Sequence, residues 1–147
     1  MSKWTFNVPI LSTEATQLLV GKAAQRAGEL GVAINIAVFD AGLQLSAFLR
    51  MQNAHVGAMA IAMDKAWTSA GFGGRSTRAI GQAVAGMPEL TRFAILARPR
   101  HTTLTGGVPI RIGGVLVGAI GGSGGTPDQD EECAIAGFAA IGADPAR

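Results

Sequence analysis

Residues 106–125 read GGVPIRIGGVLVGAIGGSGG, and this stretch decides between two classes of fold. Nine of its twenty residues are glycine, and most of the others are aliphatic. Such a composition fits either a loop that wraps a phosphate group or a pair of strands interrupted by glycine. The residues on each side of the glycines separate the two interpretations.

The first two thirds of the stretch has the pattern of a β-hairpin. Residues 108–112 and 115–120 are both rich in strand-forming residues, and only Gly113 and Gly114 separate them. Two strands joined by two glycines are a strong hairpin signal, because a primed turn needs positive φ at its central residues. Pro109 places the first strand at a sheet edge or at the start of the strand.

The last third, GGSGG, leads directly into a helix. Thr126 is a capping residue, Pro127 suits the first helical position, and Gln129 completes a capping box. The first turns carry four acids, which occupy the positive end of the helix dipole and would repel a phosphate: Asp128, Asp130, Glu131 and Glu132. No Gly-Lys-Ser/Thr follows either. We therefore reject a phosphate loop and expect residues 121–124 to pack closely against a neighbouring element or a flat ligand.

A second hairpin lies nearer the N-terminus, after a long helix. Ser12 caps that helix and Gly31 stops it. Residues 32–40 are apolar almost throughout, as in a strand buried on both faces. Asp40 begins a turn, and residues 43–50 return as a second strand.

Helices fill the rest of the chain. Helix-forming residues occupy 54–71 and 77–85, Pro88 opens another short helix, and the last helix runs from Thr126 through Ile141. The helix at 54–71 carries an apolar stripe that we assign to the core: Met59, Ala62, Met63, Ala66 and Trp67. Antiparallel hairpins with helices between them predict an α+β layer fold rather than a Rossmann sheet.

Composition limits the classes of function. A chain of 147 residues predicts one domain over residues 1–147, and 48% apolar with 15% charged residues predicts a homo-oligomer with buried interfaces. A net charge of +2, with one short basic cluster at residues 98–101, argues against nucleic-acid binding. No secretion signal or membrane span is visible. With one cysteine, Cys133, which we expect to be buried, the chain is predicted to be cytoplasmic.

Few residues offer chemistry. His55 and His101 are the only histidines, so we predict no metal site. His55 starts the helix at 54–71 and is either a surface capping residue or a ligand contact. Lys65 lies in an otherwise apolar helix, so it either faces solvent or reaches over a pocket to pair with an acid. Arg50 is a further candidate cation.

Five blocks of this sequence resemble the GlcG/HbpS family, named for a heme-binding or heme-degrading domain, over residues 12–142. They are VFDAGLQLSAFLRM (38–51), DKAWTSAGF (64–72), GGVPI (106–110), GAIGGSG (118–124) and DEECAIAG (130–137). The corrinoid adenosyltransferase PduO carries a similar C-terminal domain. The resemblance implies profilin-like α/β/α layers with an antiparallel sheet of about five strands, oligomers, and heme or corrinoid binding in some members. Other members accompany small-acid and aromatic catabolism genes.

The resemblance also suggests where a ligand would bind. We place ligand or cofactor contacts at six residues: His55, Met51, Asn53, Gly107, Gly122 and Ser123. The family's usual Arg-Met-Asp-Gly-Ala here reads RMQNA (residues 50–54), so the pocket loop lacks an acid. Heme-binding members are expected to supply an axial histidine from the first helix, and residues 13–30 contain none.

Three hypotheses of function follow. The first is a small-ligand-binding protein that holds a planar, heme- or corrinoid-like cofactor or a small organic acid in a glycine-walled pocket near a subunit interface. The second is an enzyme acting on a small organic acid or an aromatic-catabolism intermediate. In it, Arg50 or Lys65 would orient a carboxylate and His55 would move a proton. The third is a structural oligomer, accessory to another protein.

The cofactor is not identified by the sequence. Heme iron needs an axial donor such as His, Met, Cys or Tyr, and the chain has no tyrosine. His55 is the only histidine beside the pocket motif. We therefore predict weak heme binding or none, with His55 as the ligand of any specific complex.

Overall fold

The computed structural model describes residues 2–146, which form an antiparallel sheet between two layers of helices. In chain order, its helices and strands are α1 (Thr13–Leu30), β1 (Asn35–Asp40), β2 (Leu45–Arg50), α2 (Met59–Gly71), α3 (Thr77–Ala85), α4 (Glu89–Leu96), β3 (Gly107–Ile112), β4 (Val115–Ser123) and α5 (Pro127–Ile135). Short 3-10 turns at Val56–Ala58 and Ala139–Ile141 complete the order. The α+β layer fold is confirmed.

The sheet has the order β2-β1-β4-β3, and each neighbouring pair is antiparallel. Every residue of β1 is buried, as predicted for a strand covered on both faces. The two hairpins therefore meet along their inner strands, where Asn35 pairs with Ser123 and Asp40 with Gly118. This central pairing brings the end of β4 beside the start of β1.

Local signals in the sequence account for both hairpin turns. Gly113 and Gly114 have φ values of 58° and 81°, the two positive angles that a primed turn requires. In the first hairpin, Asp40 Oδ1 accepts hydrogen bonds from the N–H groups of Gly42 (2.8 Å) and Gln44 (3.1 Å). Asp40 is thus a turn-forming residue. Pro109 lies in β3, an edge strand, as predicted.

Two apolar clusters hold the layers together. The larger lies between the sheet and helices α1 and α5, and includes Leu19, Ile36 and Ile120, each fully buried. The smaller lies between the sheet and α2, where Ala62 and Ala66 pack on the inner strands. The predicted core stripe of α2 is confirmed in this cluster by Ala62, Met63, Ala66 and Trp67.

Glycine in β4 lets α2 approach the sheet closely. A Cβ atom on Gly121 would overlap the carbonyl oxygen of Ala62 and lie 2.8 Å from the Ala66 nitrogen. On the opposite face, a Cβ on Gly122 would lie 2.9 Å from the carbonyl oxygen of Asp130 in α5. The predicted close packing of this glycine segment is therefore present on both faces of the sheet.

Three expectations need correction. The described residues form four strands, not about five, because the segment before α1 is exposed and pairs with no strand. The helix expected from residue 54 starts at Met59, after a 3-10 turn. The last helix was expected to reach Ile141, but it ends at Ile135. There Gly137 packs against Leu19 of α1, so tightly that a Cβ would lie 3.0 Å from the Leu19 Cα.

Candidate functional site

A cleft of about 400 Å³ opens where the end of β4 and the start of α5 meet α2. Its wall includes the glycine pair at 124–125 and is completed by residues of the loop before β3. The lining residues are His55, Ala58, Ile61, Lys65, Leu104, Thr105, Ser123, Gly124, Gly125, Pro127 and Asp130. Of the predicted site residues, the structure brings His55, Lys65 and Ser123 together here.

Lys65 reaches into this cleft from α2 and is only 3% exposed. Its Nζ lies 2.9 Å from Asp130 Oδ2 and donates to the carbonyl oxygen of Gly122 at 2.8 Å. The interpretation of Lys65 as a solvent-facing residue is therefore wrong. The alternative, a lysine that reaches across to pair with an acid, describes its geometry.

Asp130 joins the ion pair to the glycine loop. While Oδ2 faces Lys65, Oδ1 accepts from the N–H of Gly125 at 2.9 Å. The neighbouring donors are satisfied locally, because Thr126 and Gln129 exchange hydrogen bonds in a capping box. The start of α5 therefore binds its own side chains, which agrees with the rejection of a phosphate loop.

His55 stands at the exposed rim of the cleft, at the start of the turn before α2. Its carbonyl oxygen accepts from Asn35 Nδ2 at 2.9 Å, and the same amide lies 3.4 Å from the Ser123 carbonyl oxygen. Asn35 is fully buried, and its Oδ1 has no hydrogen-bond partner among residues 2–146. Asn35 thus holds the histidine segment against the end of β4.

The cleft combines unused donors with an apolar wall. Within residues 2–146, the hydroxyl groups of Ser123 and Thr105 make no hydrogen bond, and the Lys65 ammonium uses two of its three N–H groups. Ile61 and Leu104 supply apolar surface opposite them. An arrangement of this kind suits a small molecule with oxygen atoms at one end and a hydrocarbon body at the other.

Comparison with known proteins identifies the family. The profile of the family described as "Haem degrading protein HbpS-like" matches residues 11–139. The chain belongs to the HbpS-like family. It is 33% identical to protein GlcG of Escherichia coli K12 over 112 residues, which cover 76% of this chain and 80% of GlcG. The resemblance stated from the sequence blocks is thereby confirmed.

Two solved structures share the HbpS-like fold at similar identity. The crystal structure of a PduOC:heme complex superposes with a TM-score of 0.82 at 28% identity, covering 92% of this chain and 97% of that one. A crystal structure of HbpS gives a TM-score of 0.84 at 26% identity, covering 97% of both chains. The layer arrangement expected from the resemblance is therefore shared with HbpS.

Five predicted site residues of this HbpS-like chain lie outside the lining of the cleft, four of them away from its ion pair. Arg50 is exposed at the end of β2, and the Met51 sulfur accepts from the N–H of Ile34 at 3.5 Å. Asn53 adopts φ 71°, a left-handed conformation that asparagine and glycine both tolerate, which explains why it replaces the family's glycine. Gly107 packs under α2 and donates its N–H to Thr77 Oγ1 at 3.0 Å.

Gly122 and Asp130 belong to the site in different ways. The predicted residue Gly122 contributes its carbonyl oxygen to Lys65 rather than a surface to the cleft. Asp130 was assigned from the sequence only to the helix dipole, and its role as the partner of Lys65 was missed. The position of Asp130, four residues after the cap Thr126, does not predict its contact with Lys65.

The remaining features concern metal ligands, the cysteine and membrane spans. Across residues 2–146, no three His, Cys, Asp or Glu side chains are grouped as a metal centre requires. Burial, with the charge of Asp130 as the second cause, raises the pKa of the Cys133 thiol to about 11. The thiol therefore stays protonated at neutral pH, consistent with the predicted buried cysteine. No helix within residues 2–146 has the length and hydropathy to cross a membrane.

Proposed function

We propose that this chain is a small-ligand-binding protein that takes a small organic acid in the glycine-walled cleft. We further propose that it works as a homo-oligomer, with the cleft near a subunit interface. The observation that carries the ligand proposal is the buried Lys65–Asp130 pair, which lines the same cleft as Ser123, whose hydroxyl makes no hydrogen bond within residues 2–146.

The polar end of the cleft favours oxygen atoms of a ligand. A carboxylate there would accept from Lys65 and Ser123, while the hydrocarbon body would lie on Ile61 and Leu104. Because Asp130 already neutralises Lys65, binding would rest on hydrogen bonds and shape rather than on net charge. Such a cleft selects for a short acid whose two ends differ in polarity.

A panel of short hydroxy, keto and dicarboxylic acids tests this proposal. We expect at least one acid to raise the melting temperature of the wild type, and its affinity to be measurable by calorimetry. Ser123→Ala removes one donor without a change in backbone, so it should weaken binding by about 1 kcal/mol, or roughly fivefold. Ser46→Ala, on the exposed edge strand, is the matched control and should bind normally. A panel without any binder, or equal affinity in both variants, would contradict the proposal.

An enzymatic function is the second candidate, because His55 and Lys65 line the same cleft. In that case Lys65 would orient the acid and His55 would transfer a proton as a general acid or base. Arg50 is poorly placed for this role, since it does not line the cleft. Turnover of the bound acid by the wild type, and its loss in His55→Ala with binding retained, would distinguish an enzyme from a binding protein.

Heme is the ligand of one structural neighbour, the PduOC:heme complex. The residues of this chain fit that group poorly. Helix α1 offers no histidine, and the axial donor nearest the cleft is His55 on its exposed rim. The cleft therefore has no buried histidine that could serve as an axial ligand of heme iron.

A hemin titration followed by Soret absorbance checks this interpretation. We expect weak or no specific binding to the wild type, and any specific Soret band should disappear in His55→Ala. His101→Ala serves as the control, since His101 packs edge-on against Phe72 and does not line the cleft. Tight stoichiometric binding that survives His55→Ala would contradict the ligand assignment.

A further inference from the structure

The segment before α1 has an unused strand pattern. Residues 2–10, which we call the N-terminal arm, are all exposed and form no helix or strand. Its apolar side chains stand at every second position, with Trp4 and Phe6 82% and 81% exposed and Val8 and Ile10 more than half exposed. Alternation with period two gives a strand one apolar face. The arm is therefore a strand-like segment without a partner.

One edge of the sheet is largely covered. On β3, Thr77 Oγ1 accepts the Gly107 N–H and lies 3.5 Å from its carbonyl oxygen. Pro109 has no N–H to offer, and the Arg111 carbonyl accepts from the N–H of Asp144 at 2.7 Å. These alternate residues are the ones whose backbone groups point outward, so most of the groups that another strand would bind are occupied or missing.

The other edge, on β2, is open. Its inward bonding is shown by the Met51 N–H, which donates to the Ile34 carbonyl, so residues of the other parity point outward. Those residues are Phe48 and Arg50, since the register shift after Ala47 interrupts the alternation, and no hydrogen bond within residues 2–146 reaches their outer backbone groups. An uncovered edge of this kind is a template for strand pairing.

The side chains of the open edge match those of the arm. Leu45, which pairs with Phe39, and Leu49, which pairs with Ile36, are exposed on opposite faces of β2, and the edge carries no charge before Arg50. Residues 4–10 of the arm carry no charge either. An apolar, uncharged strand and an apolar, nearly uncharged edge can pair without repulsion or burial of a charge.

We propose that the N-terminal arm of one copy pairs with the free edge of β2 in a second copy, and that the exchange is reciprocal. The inference rests on the homo-oligomer proposed above but not on its ligand. Each chain has both an unpaired arm and a free β2 edge. Two copies can therefore exchange arms in the same way, as a two-fold symmetric interface requires. Leu11, at the end of the arm, packs against Gly118 of β4. In the sheet, β1 lies between β4 and the free edge on β2. Pro9 is tolerated because the added strand becomes the outermost one.

Light scattering and hydrogen exchange on the full chain test the arm. The wild type at micromolar concentration should have at least twice the monomer mass of 15.0 kDa. Phe6→Asp with Val8→Asp should return the mass to that of the monomer, since both side chains are exposed and their replacement leaves the fold intact. Leu90→Asp is the matched control, because Leu90 on α4 is 82% exposed like Trp4. The control should keep the wild-type mass.

Amide exchange locates the contact. Phe48 and Arg50 should exchange slowly in the assembled wild type and quickly in the arm variant. A monomeric wild type would overturn both the oligomer and the arm exchange. An assembly whose mass is unchanged in the arm variant would overturn the arm exchange alone. If the mass falls but the β2 amides exchange quickly throughout, the arm docks elsewhere and the proposed edge is wrong.

Discussion

Replacing Gly121 by alanine is expected to destabilise the protein by about 3 kcal/mol, the upper end for an overpacked core. The added methyl group would overlap the Ala62 carbonyl oxygen and crowd the Ala66 nitrogen, both backbone atoms of α2. A backbone cannot rotate away as a side chain does, so the helix must shift from the sheet. Urea unfolding followed by circular dichroism measures the loss.

Gly28→Ala is the control for this substitution. Gly28 lies in α1, and a Cβ there would meet nothing within 4 Å. Alanine in a helix is favoured over glycine by about 0.5–1 kcal/mol, so this variant should gain stability. If Gly121→Ala and Gly28→Ala behaved alike, the close contact between α2 and β4 would be incorrect.

The second large effect is expected at the buried ion pair. Asp130→Asn should cost about 3–5 kcal/mol, because it leaves the Lys65 ammonium buried without a counter-charge. Lys65→Met should also lower the free energy of unfolding, because it leaves the Asp130 carboxylate buried without a counter-charge. The double variant contains neither charge, so it should lose less than the two single variants added together. Urea unfolding of all four proteins gives the coupling free energy.

An exposed ion pair supplies the comparison. Asp128 pairs with Arg78 on the surface and its side chain is 87% exposed. Asp128→Asn should therefore change the free energy of unfolding by less than about 1 kcal/mol. Equal losses in Asp128→Asn and Asp130→Asn would mean that the buried pair does not hold α2, β4 and α5 together.

Much of the fold could be predicted because its signals are local. Gly113 and Gly114 specify their turn through their own backbone angles, and the capping box of Thr126 and Gln129 spans only four residues. The boundary at Ile135 could not be predicted in this way. It depends on contact between Gly137 and α1, a helix far earlier in the chain.

The site was less predictable because its contacts are long-range. Lys65 and Asp130 are 65 residues apart, and nothing near either residue specifies the other. The sequence left two environments open for Lys65, and only the packing of α2 on the glycines of β4 decides between them. Arg50 was predicted as a candidate cation and Met51 as a ligand contact by the resemblance, but neither residue lines the cleft.

The pairing of β1 with β4 at the centre of the sheet has a consequence for the order of folding. Asn35 and Ser123, which face each other there, are 88 residues apart in the chain. During synthesis, the first hairpin and α1 leave the ribosome well before β4 exists, so one side of β1 has no partner through most of translation. Closure of such a distant contact carries a large loop entropy and slows folding. A nascent chain of this protein thus exposes a strand with four consecutive apolar residues until its last quarter is made, which is the interval in which chaperones would act.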